Sequence, residues 1–170
     1  IENSATDHNR IEGNLIGTMV SDHLRGTLPG IVGADCVWSY AWLDDVARAH
    51  VAALERGRPG GCYRLGGENQ PQMRVFELVR KMTGRALPRR IPTWMAVGIG
   101  AIEEFRARLT GRPPLLTAGT ARILTQDWMM DSTVAADELG YSVTPFEDGI
   151  ARVVAQAVRD ENVQPGRRGA

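Results

Sequence analysis

The chain has 170 residues, 43% of them hydrophobic and 24% charged, the profile of one soluble globular domain long enough to bury a core. Twenty basic residues balance twenty acidic ones, so no long-range field favours nucleic acid or an anionic membrane, and no helix-turn-helix, RNA-binding signature or arginine stripe points to a nucleic-acid partner. The most apolar window, residues 91–102, holds Pro92, Gly98 and Gly100 and closes at Glu103 and Glu104, far short of the ~20 apolar residues of a membrane span, so no membrane partner is expected.

Ile11, Leu15, Ile16, Met19 and Leu24 recur at helical spacing, with Gly26 placed to end that helix. Residues 27–35, with Pro29, Gly30 and Gly33, read as a loop. Residues 36–43 are rich in aromatic and β-branched side chains and predict a strand. Asp44 and Asp45 follow, where a carboxylate can accept first-turn amides and meet the positive end of a helix dipole, so one of them is expected as a helix cap. The inner face of that helix would be Val46, Ala49, Ala53 and Leu54, with Gly57 as its stop. Arg58-Pro59-Gly60-Gly61 is turn chemistry. A short strand is predicted over 62–65, then a loop at Gly66-Gly67-Glu68-Asn69. If these two strands, joined by a helix, share a sheet, they should be parallel neighbours or near-neighbours through a right-handed crossover.

Helical period returns over 73–83 through Val75, Leu78, Val79 and Met82, with Gly84 after it. Pro88 and Pro92 impose an extended connector over 87–92. A helix is expected over 93–109, a break at Gly111-Arg112-Pro113-Pro114, a short helix over 117–125 and a strand over 127–131. A helix over 132–139 would be capped by Asp131 or Ser132 and ended by Gly140. The last helix starts at Pro145 and carries Phe146, Ile150, Val153, Val154 and Val158. The composition of residues 161–170 predicts a disordered tail, leaving a single lobe over residues 1–160.

Cys36 and Cys62 are the only cysteines. As small apolar residues in predicted strands they are expected to be buried free thiols rather than a disulfide. No leader pattern precedes the first element, from which a cytoplasmic location is expected, although a truncated start would hide one. His8, His23 and His50 lack the H-x-x-x-H spacing of a zinc helix, so no metal site is expected. No G-x-S-x-G elbow supports a serine nucleophile, and the neighbours Glu103 and Glu104 cannot face each other as an acid/base pair. Gly98-Ile99-Gly100 sits in an apolar helical run, not after a strand, and is not read as a nucleotide turn.

Four pieces in order carry a family resemblance. Leu43-Asp44-Asp45-Val46-Ala47 matches a V-D-D-V-A-like strand end; Gly60 to Asn69 matches G-x-x-Y-x-L-G-G-E-N; Thr83-Gly84-Arg85 closes a helix; and Asp131-Ser132-Thr133, Glu138-Leu139-Gly140-Tyr141 and Pro145 match a final D-S-x-x-A-x-x-E-L-G-Y-x-x-x-P segment. Over roughly residues 7–158 the chain resembles the C-terminal portion of extended short-chain dehydrogenase/reductases, the NAD-dependent epimerase/dehydratase group. Its wording is closest to dihydroflavonol-reductase-like and hopanoid-associated sugar-epimerase-like members.

The resemblance implies an α/β chain, the C-terminal part of a Rossmann-type fold, helix-rich with a few short strands. In the intact family NAD or NADP exchanges a hydride with a hydroxyl or carbonyl carbon of a small molecule, and a tyrosine handles the proton. This chain departs from that pattern twice. The glycine-rich strand-to-helix turn for the pyrophosphate is absent, so no cofactor is expected on the chain alone. The catalytic Tyr-x-x-x-Lys is absent too: Tyr40, Tyr63 and Tyr141 are followed four residues on by Asp44, Gly67 and Pro145, and Lys81 is the only lysine. No catalytic residue is therefore assigned, and the chain alone is expected to be inactive.

The resemblance also places His8, Asn9 and Arg10 at the mouth of the substrate cleft, with Ser4-Ala5-Thr6 replacing the glycine-containing part of the family's loop. Trp38 stands six residues before Asp44, where nucleotide-sugar epimerases tend to carry an arginine for a phosphate, which argues against a UDP-sugar substrate. Trp38 is accordingly a cleft candidate, and packing of Trp38, Tyr40 and Trp42 along one strand face is the other reading. With upstream strands missing, a sheet face should lie uncovered and promote self-association. A non-catalytic binding module derived from the same lobe remains the rival to an enzyme part.

Overall fold

The computed structural model describes residues 15–110 and 117–163. In chain order these form α1 (Leu15–Arg25), β1 (Ile31–Val32), β2 (Val37–Tyr40), α2 (Leu43–Arg56), β3 (Glu68–Pro71), α3 (Gln72–Thr83), β4 (Arg90–Ile91), α4 (Thr93–Thr110), α5 (Ala118–Leu124), α6 (Thr133–Leu139) and α7 (Phe146–Val163). The chain is helix-rich α/β with a few short strands, as expected. No helix among the described residues is long and apolar enough to cross a membrane.

The chain divides into two compact units. One comprises residues up to Pro29, Val75–Pro88 and the stretch from Glu147; the other comprises Gly30–Arg74 and Arg89–Phe146. In the first, the helical periodicity holds: Val20 of α1, Val75, Phe76, Leu78 and Val79 of α3, and Ile150, Val154 and Ala157 of α7 are buried. Leu15 and Met82, which fit the same periods, are exposed at helix ends. His23 is buried with its ring edge-on to Phe76, centroids 5.1 Å apart, and its Nε2 has no hydrogen-bond partner among the described residues.

The second unit corrects the predicted sheet. β2 pairs antiparallel with β3, register Val37↔Pro71 to Tyr40↔Glu68, and on its other side bridges Trp128 in parallel. Residues 62–65 are not a strand. They alternate half-buried Tyr63 and Leu65 with exposed Cys62 and Arg64, because Tyr63 and Leu65 pack on the Ala49, Ala135 and Tyr141 cluster where α2 meets α6. Period-2 burial here comes from packing on helices, without a ladder. The parallel crossover is thus replaced by an antiparallel return. A parallel pair does exist elsewhere, between β1, in the predicted loop, and β4, in the proline connector. Both thiols are free as expected, but Cys36 is half-buried and Cys62 exposed.

The helix after β2 is not capped by an aspartate. Trp42 occupies the N-cap with no side-chain cap bond; its indole N–H donates to Asp44 Oδ2 at 3.1 Å. Asp45, 2% exposed, turns inward instead. It accepts the Thr144 backbone N–H at 2.6 Å on Oδ2 and the Thr144 hydroxyl at 3.0 Å on Oδ1, and pairs with the Arg48 guanidinium. The buried face of α2 follows Asp45, Ala49 and Ala52, and Leu54, expected inside, is exposed. The pair's position between strand and helix misled because a carboxylate there can serve long-range amides as readily as local ones.

The helices after α3 fall where predicted. Thr117 Oγ1 accepts the Thr120 N–H at 3.0 Å to cap α5, and Glu104 of α4 accepts the Ala118 N–H at 2.9 Å, so two orphan amides of a short helix are satisfied. Asp131 Oδ1 accepts the Thr133 N–H at 2.9 Å ahead of α6, and left-handed Gly140 ends that helix. Residues 127–131 supply a single bridge in place of a strand. The expected break at residues 111–114 lies outside the described residues, as does the chain beyond Val163.

Two outcomes follow. Asp45→Ala strands the Thr144 donors and should cost about 1–3 kcal/mol in urea unfolding, whereas exposed Asp44→Ala should stay within about 0.5 kcal/mol. Burial, then the Arg85 charge, lowers the His23 pKa from its ordinary 6.5, with the Ala86 backbone acting oppositely. The unfolded chain therefore binds the proton more readily. This contribution is complete above about pH 6.5 and lost as pH falls below it, by at most about 1.4 kcal/mol per pH unit. Unfolding free energies between pH 7.5 and 5 should show this decline in the wild type and a shallower one in His23→Gln.

Candidate functional site

Three of the four motif pieces that carry the family resemblance lie in the second unit, while Thr83-Gly84-Arg85 lies in the first. A Cβ on Gly67 would lie 1.6 Å from the Tyr40 carbonyl oxygen, so only glycine allows the chain to fold back against the end of β2. That approach is locked by serines. The Gly67 N–H donates to Ser39 Oγ at 2.9 Å, and the Ser39 hydroxyl faces the Gly67 carbonyl at 3.3 Å. The Gly66 N–H donates to Ser132 Oγ at 2.7 Å, and the Ser132 hydroxyl returns to the Gly66 carbonyl at 3.2 Å.

Asn69 clasps the backbone of Met130 on both sides, its amide N–H₂ donating to the carbonyl and its Oδ1 accepting the N–H, each at 3.1 Å. Glu68 Oε1 accepts the N–H of Phe146 at 3.0 Å, placing a carboxylate at the first residue of α7, where the helix dipole favours it. The closing motif behaves alike. Glu138 accepts from the Tyr63 hydroxyl and from Arg58 Nε, both at 2.8 Å, and these two partners hold its carboxyl below the usual range. Hydrogen bonds from the Thr133 hydroxyl and amide likewise lower Asp131.

Of the residues the sequence nominated for a cleft, His8, Asn9 and Arg10 lie outside the described residues. Trp38 sits on β2, half-buried, with its indole N–H donating to the Gln126 carbonyl at 3.1 Å. Its polar atom is used inside the fold. Of the residues that organise this region, Ser132 and Asn69 were named by sequence only as motif members or a helix cap and Ser39 was not named; two hydroxyls and an amide flanking a Gly-Gly pair were the available signal.

Chemically, the region holds shape without a poised proton-transfer pair. Burial raises the pKa of Tyr40, and burial plus the Asp45 charge raises that of Tyr141, so both phenols stay protonated near neutrality. Neither hydroxyl has a hydrogen-bond partner among the described residues. Lys81 lies exposed in the last turn of α3. Gly98 and Gly100 lie inside α4, and a Cβ on Gly100 would come 2.5 Å from the Ala118 nitrogen, so this glycine serves close packing on α5. Among the described residues no group of three His, Cys, Asp or Glu could hold a metal ion.

No family model matches the chain. A 3beta-hydroxysteroid-dehydrogenase/decarboxylase isoform 1 of Arabidopsis thaliana is 28% identical over 157 residues, covering 82% of this chain and 36% of its own length. Among solved structures, gox2253 aligns with a TM-score of 0.67 at 29% identity, over 88% of this chain and 45% of that one. A nucleoside-diphosphate-sugar epimerase from Pseudomonas aeruginosa aligns at 0.62 and 21% identity, over 85% and 42%. A dTDP-glucose 4,6-dehydratase from Bacillus anthracis, solved with NAD, aligns at 0.60 and 18% identity, over 87% and 40%; these last two show the fold alone. The chain thus spans less than half the length of the proteins it matches. With the motif residues in place and the fold shared, the chain is similar over more than four fifths of its length to extended short-chain dehydrogenase/reductases of the NAD-dependent epimerase/dehydratase type.

Proposed function

We propose that this chain is the substrate-side portion of an NAD(P)-dependent enzyme acting on a hydroxyl or carbonyl carbon of a small molecule, and that by itself it neither binds the dinucleotide nor turns over substrate. The observation that carries this reading is the use made of the family motifs. Gly66, Gly67, Glu68, Asn69, Asp131 and Ser132 build a rigid scaffold, while the sequence offers no glycine turn after a strand and no Tyr-x-x-x-Lys to do chemistry on it.

The substrate we favour is apolar rather than a nucleotide-sugar. Trp38 stands where an arginine would meet a phosphate, and its indole N–H is occupied by Gln126. The Arabidopsis relative is named for a 3β-hydroxysteroid, which agrees with that preference. In the longer protein, His8, Asn9 and Arg10 would border the cleft and NAD or NADP would supply or accept the hydride. The second reading is a non-catalytic module, favoured by Tyr63, Leu65, Ala49, Ala135 and Tyr141 forming a core cluster of their own.

Calorimetric titration with NAD(H) and NADP(H) tests the first reading. No saturable heat is expected, because no helix N-terminus follows a strand through a glycine turn; micromolar binding would overturn it. Sedimentation and thermal melting separate the two. Self-association with a broad, low-temperature transition is the expected outcome for an enzyme part, whereas a monodisperse monomer melting sharply at high temperature would favour the module.

A further inference from the structure

β2, where an uncovered apolar face was expected, is half-buried throughout and flanked on both sides. The side chain whose polar chemistry the fold leaves unanswered lies in the first unit, in the last turn of α1. His23 is 6% exposed, its ring edge-on to Phe76 of α3. The Ala86 backbone hydrogen-bonds the ring. Because Nε2 has no hydrogen-bond partner among the described residues, that bond belongs to Nδ1, and the neutral ring carries its proton there. Nε2 is then a bare acceptor beside a phenyl ring. A second proton would set a charged N–H donor in the same place, with no acceptor to receive it.

The charges nearby oppose that proton. Arg85 acts on the ring, and its effect is repulsive; its guanidinium lies over Gly26, where an added Cβ would come 2.6 Å from Nη2. On α1 the neighbouring carboxylate, Asp22, accepts the Thr27 hydroxyl at 3.3 Å, and Arg25 is exposed. α3 carries half-buried Glu77 and exposed Arg80 and Lys81. On α7, Asp160 accepts from Gln156 at 2.8 Å, while Glu147, Asp148, Arg152 and Arg159 are exposed.

The attachment that the proton would disturb is thin. The buried residues of α1 are Gly17, Val20, Ser21 and His23, so Val20 is the one branched apolar side chain among them. An element held by so little buried apolar surface opens locally at low cost, and His23 makes up a large share of what holds it. The second unit offers no equivalent. Its described histidine, His50, is exposed, with Nδ1 2.8 Å from the Val46 carbonyl, and its ties through Ser39, Ser132 and Asn69 contain no titratable group.

We propose that His23 is a proton-sensitive latch: a second proton on its imidazole releases α1 from α3 while the second unit stays folded. The latch does not depend on which reading of the chain's chemistry holds, and dinucleotide titration does not report on it. Amide hydrogen exchange of the purified chain, followed by mass spectrometry at pH 7.5 and pH 5.5 and corrected for the intrinsic pH dependence of exchange, tests it. Protection over Leu15–Arg25 should fall at the lower pH, by up to about tenfold for a group whose unfolded pKa is about 6.5. Protection over Val37–Tyr40 and Glu68–Pro71 should change little.

His23→Gln cannot take up the charge and should remove the pH dependence over α1. Should that variant fail to fold, His23→Phe, which is apolar at every pH, makes the same comparison. Protection over α1 that ignores pH, or that falls equally in the uncharged variant, overturns the proposal. So does an equal loss in both units, which would be global unfolding, or an α1 already unprotected at pH 7.5, which would leave nothing to release.

Discussion

The contact on which the second unit depends is the approach of the Gly66-Gly67 backbone to the end of β2, with no room for a side chain between Gly67 and the Tyr40 carbonyl. From that approach the rest follows geometrically. Glu68–Pro71 is set down antiparallel beside Val37–Tyr40, Asn69 arrives opposite Met130, and Glu68 reaches the first amide of α7. Ser39 and Ser132 satisfy the glycine amides that the tight return would otherwise leave unpaired, a requirement as strict as the packing itself.

Asp45 supplies a second tie, from the first turn of α2 to Thr144. Together these staples hold α2, β3, α6 and the segment before α7 in register without a large sheet. They also account for a family motif that survives in a chain lacking the catalytic pair. Its glycines, acids and amide meet backbone demands of the fold, which persist whether or not a dinucleotide is ever bound.

α4 is packed on one side and open on the other. Its inner side is shaped by small residues, Ala96 and Gly100, to sit close against α5, and Glu104 completes the amide accounting there. Its outer side leaves Trp94, Ile102, Phe105 and Leu109 exposed.

The sequence by itself determined the helices, because their signal is local: 3.6-residue periodicity in α1, α3 and α7, and glycines at the ends of α1, α3 and α6, need no distant partner to be read. It also carried the family resemblance, through residue spacings such as Gly66 to Asn69 and Glu138 to Tyr141. The strands were decided only by tertiary structure. Cys62–Leu65 has strand-like alternation yet packs on helices, while the polar, proline-ended Glu68–Pro71, a poor strand by propensity, pairs because the glycine turn delivers it to β2. The inward turn of Asp45 was decided the same way, by an amide 99 residues along the chain. So was the open face of α4: periodicity shows that a residue is apolar, but which side a helix buries depends on what lies beside it.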